Sequence, residues 1–399
     1  TSRATPSWKP SIASTTTATS ARPRVVIVDV HASDSFCEFA AALRRRGVDV
    51  MHLRPAHSGR TRALKRAIDR LAGPIVPLHG PITSDDPAMV ALRREMLSSP
   101  TVDLHAIEPV LADLATTAEW QTNASLAKLR PGIDLGDVLD KWEVGRLARA
   151  AGVAVPEAST DLTTDRFPVV VKGRLGAGGI WVRVVHDEEE LRAAVSDLGG
   201  ESSGLYLERY HHNETGLGTA GVARDGEVLV CGAFERLPSP DEPLAPAVAI
   251  RAFLHAQAIE ASRKLIGALG YTGMFCLNFV PDDDGSPLLI DVNLRAFGAW
   301  VTLDELGVPV LDTYLDLIGA GPPAPPMTLD EERWAPVARI GAGVNGSWDA
   351  VWRVTRRTGS LVWRRRRTLG WGWMAGTEAR VAQSGVAGAA DLLRGMRAR

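Results

Sequence analysis

The segment Leu288–Gly298, Leu-Leu-Ile-Asp-Val-Asn-Leu-Arg-Ala-Phe-Gly, is an apolar run that turns polar in alternate positions at its end. Such a run reads as a half-buried strand. On extended backbone successive side chains take opposite faces, so Asp291, Asn293 and Arg295 line one face while Val292 and Leu294 pack inward. Asp and Asn bring hard oxygens suited to Mg2+, which is commonly held by one or two protein ligands plus substrate phosphates, and the arginine fork matches a phosphate. The row points to a magnesium-nucleotide site, against the plainer reading of a solvated strand end.

A chain of 399 residues exceeds one ordinary core, so about two or three domains are expected. A net charge of −2 gives no global steering toward nucleic acid or an anionic membrane. Cys37, Cys231 and Cys276 are widely spaced and form no Cys-x-x-Cys pair, which argues against a disulfide framework or a zinc site and fits a reducing cytoplasm. No apolar run approaches the roughly 18 residues of a membrane span, and residues near the start lack the order of a secretory signal. The chain opens on Thr1 rather than Met, which leaves its true start open.

Residues 1–22, rich in Ser, Thr, Ala and Pro, read as a disordered lead. Val25–Val28 reads as a buried strand, Asp34 or Ser35 caps a helix, Gly47 ends it, and Val48–Leu53 is a second strand. With a strand over Val102–Ile107 and a helix after Glu108, residues 23–125 are expected to form a parallel α/β domain. Asp29–Ser33 stands where a dinucleotide fold needs a Gly-x-Gly turn, which argues against NAD. A second domain is expected over 126–320. It opens on a helix from Leu139 stopped by Gly152 and Pro156, and continues with strands over Phe167–Lys172 and Gly179–Val185 and a helix from Asp187. A strand over Leu205–Arg209, a hairpin at Asp225-Gly226, a helix over Leu254–Leu269 and strands at Gly273–Val280 and around Ile290 follow. Residues 321–399 form a C-terminal extension; from Pro336 onward it carries 12 Arg against 3 acids, with Trp348, Trp352, Trp363, Trp371 and Trp373. The i, i+4 pair Trp348 and Trp352 favours docking on the core, with Arg364–Arg367 solvated, over contact with a membrane.

Lys172 ends a buried strand and precedes Gly173–Gly179, whose glycines let backbone N–H groups wrap an anion; a plain hairpin with a snorkelling lysine is the competing reading. The spacing is not that of a P-loop. Lys141, at a helix start, offers a second cation, although a surface lysine is its default reading. Glu208 and Glu214 flank a connector and could accept hydrogen bonds from an adenine amino group and a ribose hydroxyl, or be solvated carboxylates. The adjacent His211 and His212 face apart on extended backbone and are discounted as a metal pair.

In order, Asp140-Lys141, Val170–Lys172 with Gly176-Ala177-Gly178-Gly179, Glu208 to Glu214, Thr272–Asn278 and Asp291-Val-Asn-Leu-Arg295 resemble the motifs of the ATP-grasp superfamily, over roughly residues 24–320. The likeness is to carboxylate–amine ligases, with some similarity to the ATP-grasp domain of carbamoyl phosphate synthase large subunits. It implies a parallel α/β domain, including Ala106-Ile-Glu108, followed by a two-lobed ATP-grasp fold with a lid around 168–205. It also implies an enzyme that uses ATP and Mg2+ (or Mn2+) to activate a small carboxylate as an acyl phosphate for attack by an amine. In that reading Lys141 and Lys172 hold phosphates, the 176–179 loop closes over them, Glu208 with the Tyr210 backbone reads adenine, and Glu214 binds ribose. Asn278, Asp291 and Asn293 ligate the metal, and Arg295 stabilises the transferring phosphoryl group. No nucleic-acid partner is implied, and a homodimer is left open. Asn278 stands at a position usually acidic, Asp291 replaces a longer Glu and Leu294 replaces Pro, which weakens the metal site and leaves a nucleotide-binding relative without turnover as the alternative.

Overall fold

In the computed structural model of the chain, residues 23–30, 34–55, 73–97, 99, 101–123, 126, 128–200, 204–212, 216–237, 249–329, 331 and 334–336 are described. The expected lead over 1–22, the ribose candidate Glu214, and the tail with Trp348, Trp352, Trp363, Trp371, Trp373 and Arg364–Arg367 lie outside them.

The first layer comprises β1 (Arg24–Val28), α1 (Asp34–Arg45), β2 (Asp49–Pro55), β3 (Val76–Leu78), α2 (Pro87–Met96), β4 (Val102–Ala106) and α3 (Glu108–Ala115). Its strands form a parallel sheet in the order β3-β2-β1-β4. Val25 to Val28 are all buried, as a strand covered on both faces requires. The short α4 (Ala118–Gln121) and α5 (Leu135–Leu139) lead to α6 (Lys141–Ala150). A single helix was expected from Leu139; instead the backbone is extended at Asp140 (φ −79, ψ 117), whose carboxylate accepts from Trp142 N (2.9 Å) and Glu143 N (3.2 Å). A capping aspartate stops one helix and starts the next.

A four-stranded antiparallel sheet, order β5-β8-β6-β7, contains β5 (Ala158–Ser159), β6 (Val169–Gly173), β7 (Val182–Val185) and β8 (Leu205–Arg209), packed on α7 (Glu188–Asp197). β7 begins at Val182 rather than the expected Gly179, because Gly178 and Gly179 take φ +69 and +76 and cannot extend a strand. A six-stranded sheet, order β13-β12-β9-β10-β11-β14, follows with β9 (Leu217–Arg224), β10 (Glu227–Leu237), β11 (Ala249–Phe253), β12 (Gly273–Pro281), β13 (Pro287–Asn293) and β14 (Trp334–Pro336). Asp225 (φ 50) and Gly226 (φ 86) make the tight turn expected between β9 and β10.

Helix α8 (Ala256–Leu269) covers one face of this sheet, through a core that includes Leu265, Ile266, Phe275 and Leu277. The opposite face, with Val222, Phe234 and Met274, shares a core with Phe39 of α1, Trp300 of α9 (Trp300–Glu305) and Tyr314 of α10 (Val310–Leu317). The parallel layer is therefore packed into the large sheet through α1. No helix among the described residues is long and apolar enough to cross a membrane.

Candidate active site

Asp140 does more than cap α6. Its Oδ2 accepts from Arg174 Nε (2.6 Å), Glu143 Oε1 accepts from Arg174 Nη2 (3.2 Å), and the Lys141 N–H donates to the Arg174 carbonyl (2.8 Å). The root of the glycine loop is thus tied to the helix that presents Lys141. Lys141 Nζ meets Asp291 Oδ1 on β13, 150 residues away. Burial opposes charge on Lys141, yet the Asp291 carboxylate outweighs it and raises the ammonium above the usual lysine value. Burial likewise pushes Asp291 up, but Lys141, Asn293 and Lys172 win and hold it down at about 2.

The row expected on β13 forms. Asn293 Nδ2 donates to Asp291 Oδ2 (2.8 Å), Arg295 Nη2 donates to Asn293 Oδ1 (2.8 Å), and Val292 and Leu294 are buried in the core beneath. Asn278 lies directly across from Asp291 in the β12–β13 ladder, with its Nδ2 3.4 Å from Asp291 Oδ2. Asp291 and the two carboxamides, Asn278 and Asn293, form a hard-oxygen set that fits one magnesium ion shared with phosphates; among them is a single carboxylate, and Lys141 already contacts it.

Lys172 is buried at the end of β6, with Nζ against Glu208 Oε1 and 3.4 Å from the Ile290 carbonyl. Two residues expected at opposite ends of a nucleotide are here paired with each other, so the carboxylate expected to read adenine is engaged by a lysine. Tyr210 follows β8 on the connector. Lys141, Tyr206, Glu208, Leu289, Ile290 and Asp291 are among the residues that border an open cleft. Gly176 (φ +156), Ala177, Gly178 and Gly179 form the expected loop, and a Cβ on Gly176 would lie 2.9 Å from Trp181 Cδ1.

The sequence reading assigned no role to Glu108 or His105. Glu108, the first residue of α3, accepts from Arg295 Nε (2.9 Å) and Nη2 (3.2 Å) across a separation of 187 residues. Burial lowers Arg295, and Glu108 more than restores it, leaving the guanidinium above its usual value. His105 Nδ1 accepts from the Ala296 N–H (2.9 Å), which places the proton of the neutral ring on Nε2, 3.0 Å from the Tyr314 hydroxyl. Burial keeps this imidazole below its usual value, against the pull of Asp103. No spacing signal links these residues to Arg295; Ala106-Ile-Glu108 had entered only as part of the family likeness.

Elsewhere, Asp29, Cys37 and His52 bring one ligand atom each within 4.8 Å of one another. Arg54 stands among them, with Nη1 2.6 Å from Cys37 Sγ and Nε 3.4 Å from Asp29 Oδ2, and supplies the cation itself.

No protein-family model matches the chain. The carbamoyl phosphate synthase large chain of Clostridium beijerinckii is 24% identical over 214 residues, 51% of this chain and 19% of that protein. Rattus norvegicus mitochondrial pyruvate carboxylase is 28% identical over 204 residues, 45% of this chain and 17% of its own length. Among solved structures, an L-amino acid ligase from Bacillus licheniformis superposes with a TM-score of 0.53 at 20% identity, covering 75% of this chain and 73% of that one. An N5-carboxyaminoimidazole synthetase from Staphylococcus aureus, complexed with ADP, gives 0.56 at 13% identity, covering 79% and 81%. The fold is that of the ATP-grasp ligases. The matched stretches span about a fifth of the length of these two sequence relatives.

Proposed function

We propose that this ATP-grasp chain is a ligase that uses ATP to activate a small carboxylate as an acyl phosphate and passes the acyl group to an amine, releasing ADP and phosphate. The observation that carries this reading is one linked row of side chains, Lys141 to Asp291 to Asn293 to Arg295, with Lys172 against the neighbouring Ile290 carbonyl, drawn from three parts of the chain.

In this reading the nucleotide phosphates take over Lys141 and Lys172 from their present carboxylate partners, and Glu208, released from Lys172, turns to adenine beside Tyr210. Glu214 is assigned to the ribose. Asn278, Asp291 and Asn293 hold one magnesium ion, which when bound offsets phosphate charge. Arg295, gripped by Glu108, faces the phosphoryl group as it moves to the substrate carboxylate. Charge spreads over the phosphoryl oxygens in that transfer, so a guanidinium already in place lowers the barrier without reorganising. The 176–179 loop, closed, keeps water from the acyl phosphate. The relatives named for N5-carboxyaminoimidazole synthesis and amino acid ligation support a carboxylate and an amine as the substrate classes.

The test is ADP release in a screen of amino acids and small carboxylates with magnesium and ATP. Wild type should release ADP dependent on both an acid and an amine, and Asp291→Ala should lower the rate at least ~100-fold, as loss of a charge-stabilising group does elsewhere. Equal release by both proteins removes the site assignment. Nucleotide binding without turnover under every condition favours the alternative that Asn278 already signals, a binding protein.

A further inference from the structure

Lys141, Lys172 and Arg295, the cations assigned to the nucleotide, each rest against a carboxylate. Arg236 on β10 differs. Its Nε is shielded from solvent without a hydrogen-bond partner, and its side chain has no ion pair among the described residues. Burial pulls the guanidinium below the ordinary arginine value, opposed by Cys276 and the Asp291 carboxylate. A guanidinium Nε shielded without a partner costs stability, which a folded chain tolerates where a ligand supplies the missing anion.

The register shows where it stands. Gly218 pairs with Asn278 on one side and Phe234 on the other, and Asn278 pairs with Asp291. Residues directly opposite share a face, and Arg236 is two positions beyond Phe234, so it projects from the face that carries Asn278 and Asp291. The guanidinium lies across Gly216, where a Cβ would come within 2.8 Å of Nε and 2.9 Å of Nη2. Gly216 therefore leaves room for the guanidinium to lie across the start of β9.

We infer that Arg236 is an oxyanion ligand of the site that contacts the terminal phosphoryl group of ATP before and after its transfer. This rests on the functional reading above and adds a residue to it. Its planar fork can bridge two phosphoryl oxygens, which a lysine cannot do.

Titration of the full chain with the magnesium complexes of ADP and of a non-hydrolysable β,γ-imido ATP analogue tests the inference. Arg236→Gln should weaken the analogue by roughly tenfold or more, one charged contact's worth, and leave ADP within about twofold. Arg236→Lys should fall between, and Gly216→Ala, which displaces the guanidinium, should reproduce the selective loss. The melting temperature of Arg236→Gln should be unchanged or higher, because no side-chain partner among the described residues is lost. Equal weakening of both nucleotides, no weakening of either, or a marked fall in melting temperature overturns the assignment. A wild-type chain that binds neither nucleotide defeats the functional reading itself, whereas selective binding by wild type with an unaffected variant defeats Arg236 alone.

Discussion

Glu108 holds both Nε and Nη2 of Arg295, and replacing its carboxylate by an amide keeps the volume while removing the charge that orients the fork. Glu108→Gln should lower kcat by up to ~100-fold, the cost of misplacing a reacting group by about an ångström, with magnesium-nucleotide affinity within a few-fold of wild type. A matching loss of nucleotide affinity would place Glu108 in binding instead. A second carboxyl acts on stability. Burial raises Asp304 to about 8, with Asp312 and Glu305 adding and the Leu311 N–H opposing. Its folded value lies above the ordinary aspartate value of 3.8, so protonation favours the folded state. The stabilisation is complete below about pH 4 and is lost as the pH climbs to about 8. Asp304→Asn should shrink the drop in melting temperature between about pH 5 and pH 9; an unchanged drop refutes that account.

At the scale of elements, the glycine loop stands out by the side chains it exposes. Leu175, Ile180 and Trp181 are 46%, 61% and 39% exposed, an unusual concentration of large apolar side chains at a loop beside a polar cleft. Closure over a nucleotide would cover them, so saturating magnesium-ADP should shift the tryptophan emission to the blue in wild type and less in Trp181→Phe. No difference between the two proteins would show that the loop does not close. Gly178 has open space around its Cβ position but φ +69, so Gly178→Ala adds strain of about 1 kcal/mol without a clash. In the six-stranded sheet the turn between β9 and β10 followed local chemistry: Asp225-Gly226 turned where an Asp-Gly pair should. The helix expected from Leu139 broke at Asp140 because that side chain reached the N–H groups beyond it, a competition that periodicity does not report.

At the scale of the molecule, Phe39, His105, Trp300 and Tyr314 form one aromatic cluster joining the parallel layer to the large sheet. Phe39 lies 5.0 Å from His105 and 5.7 Å from Trp300 between ring centroids. Trp300 is fully buried, and Trp300→Ala should cost roughly 3–5 kcal/mol, read as a lower denaturation midpoint, while Trp300→Phe should recover much of it. Loss under about 1 kcal/mol would mean that the joint contributes little to stability.

Alternation along Leu288–Gly298 sufficed to put Asp291, Asn293 and Arg295 on one face, because strand geometry is local and needs no partner. The order of the lysines, glycines and acids was likewise enough to indicate the ATP-grasp fold. What the chain order could not contain were the pairings: Lys141 with Asp291, Lys172 with Glu208 and Arg295 with Glu108. Those depend on which sheets meet and at what register, and charges compete for partners only once burial has removed water from around them. Arg236 illustrates the limit. As one arginine on a strand it carried no signal; the tertiary structure, by shielding its Nε on the face that carries Asp291, with no partner among the described residues, made it a candidate ligand.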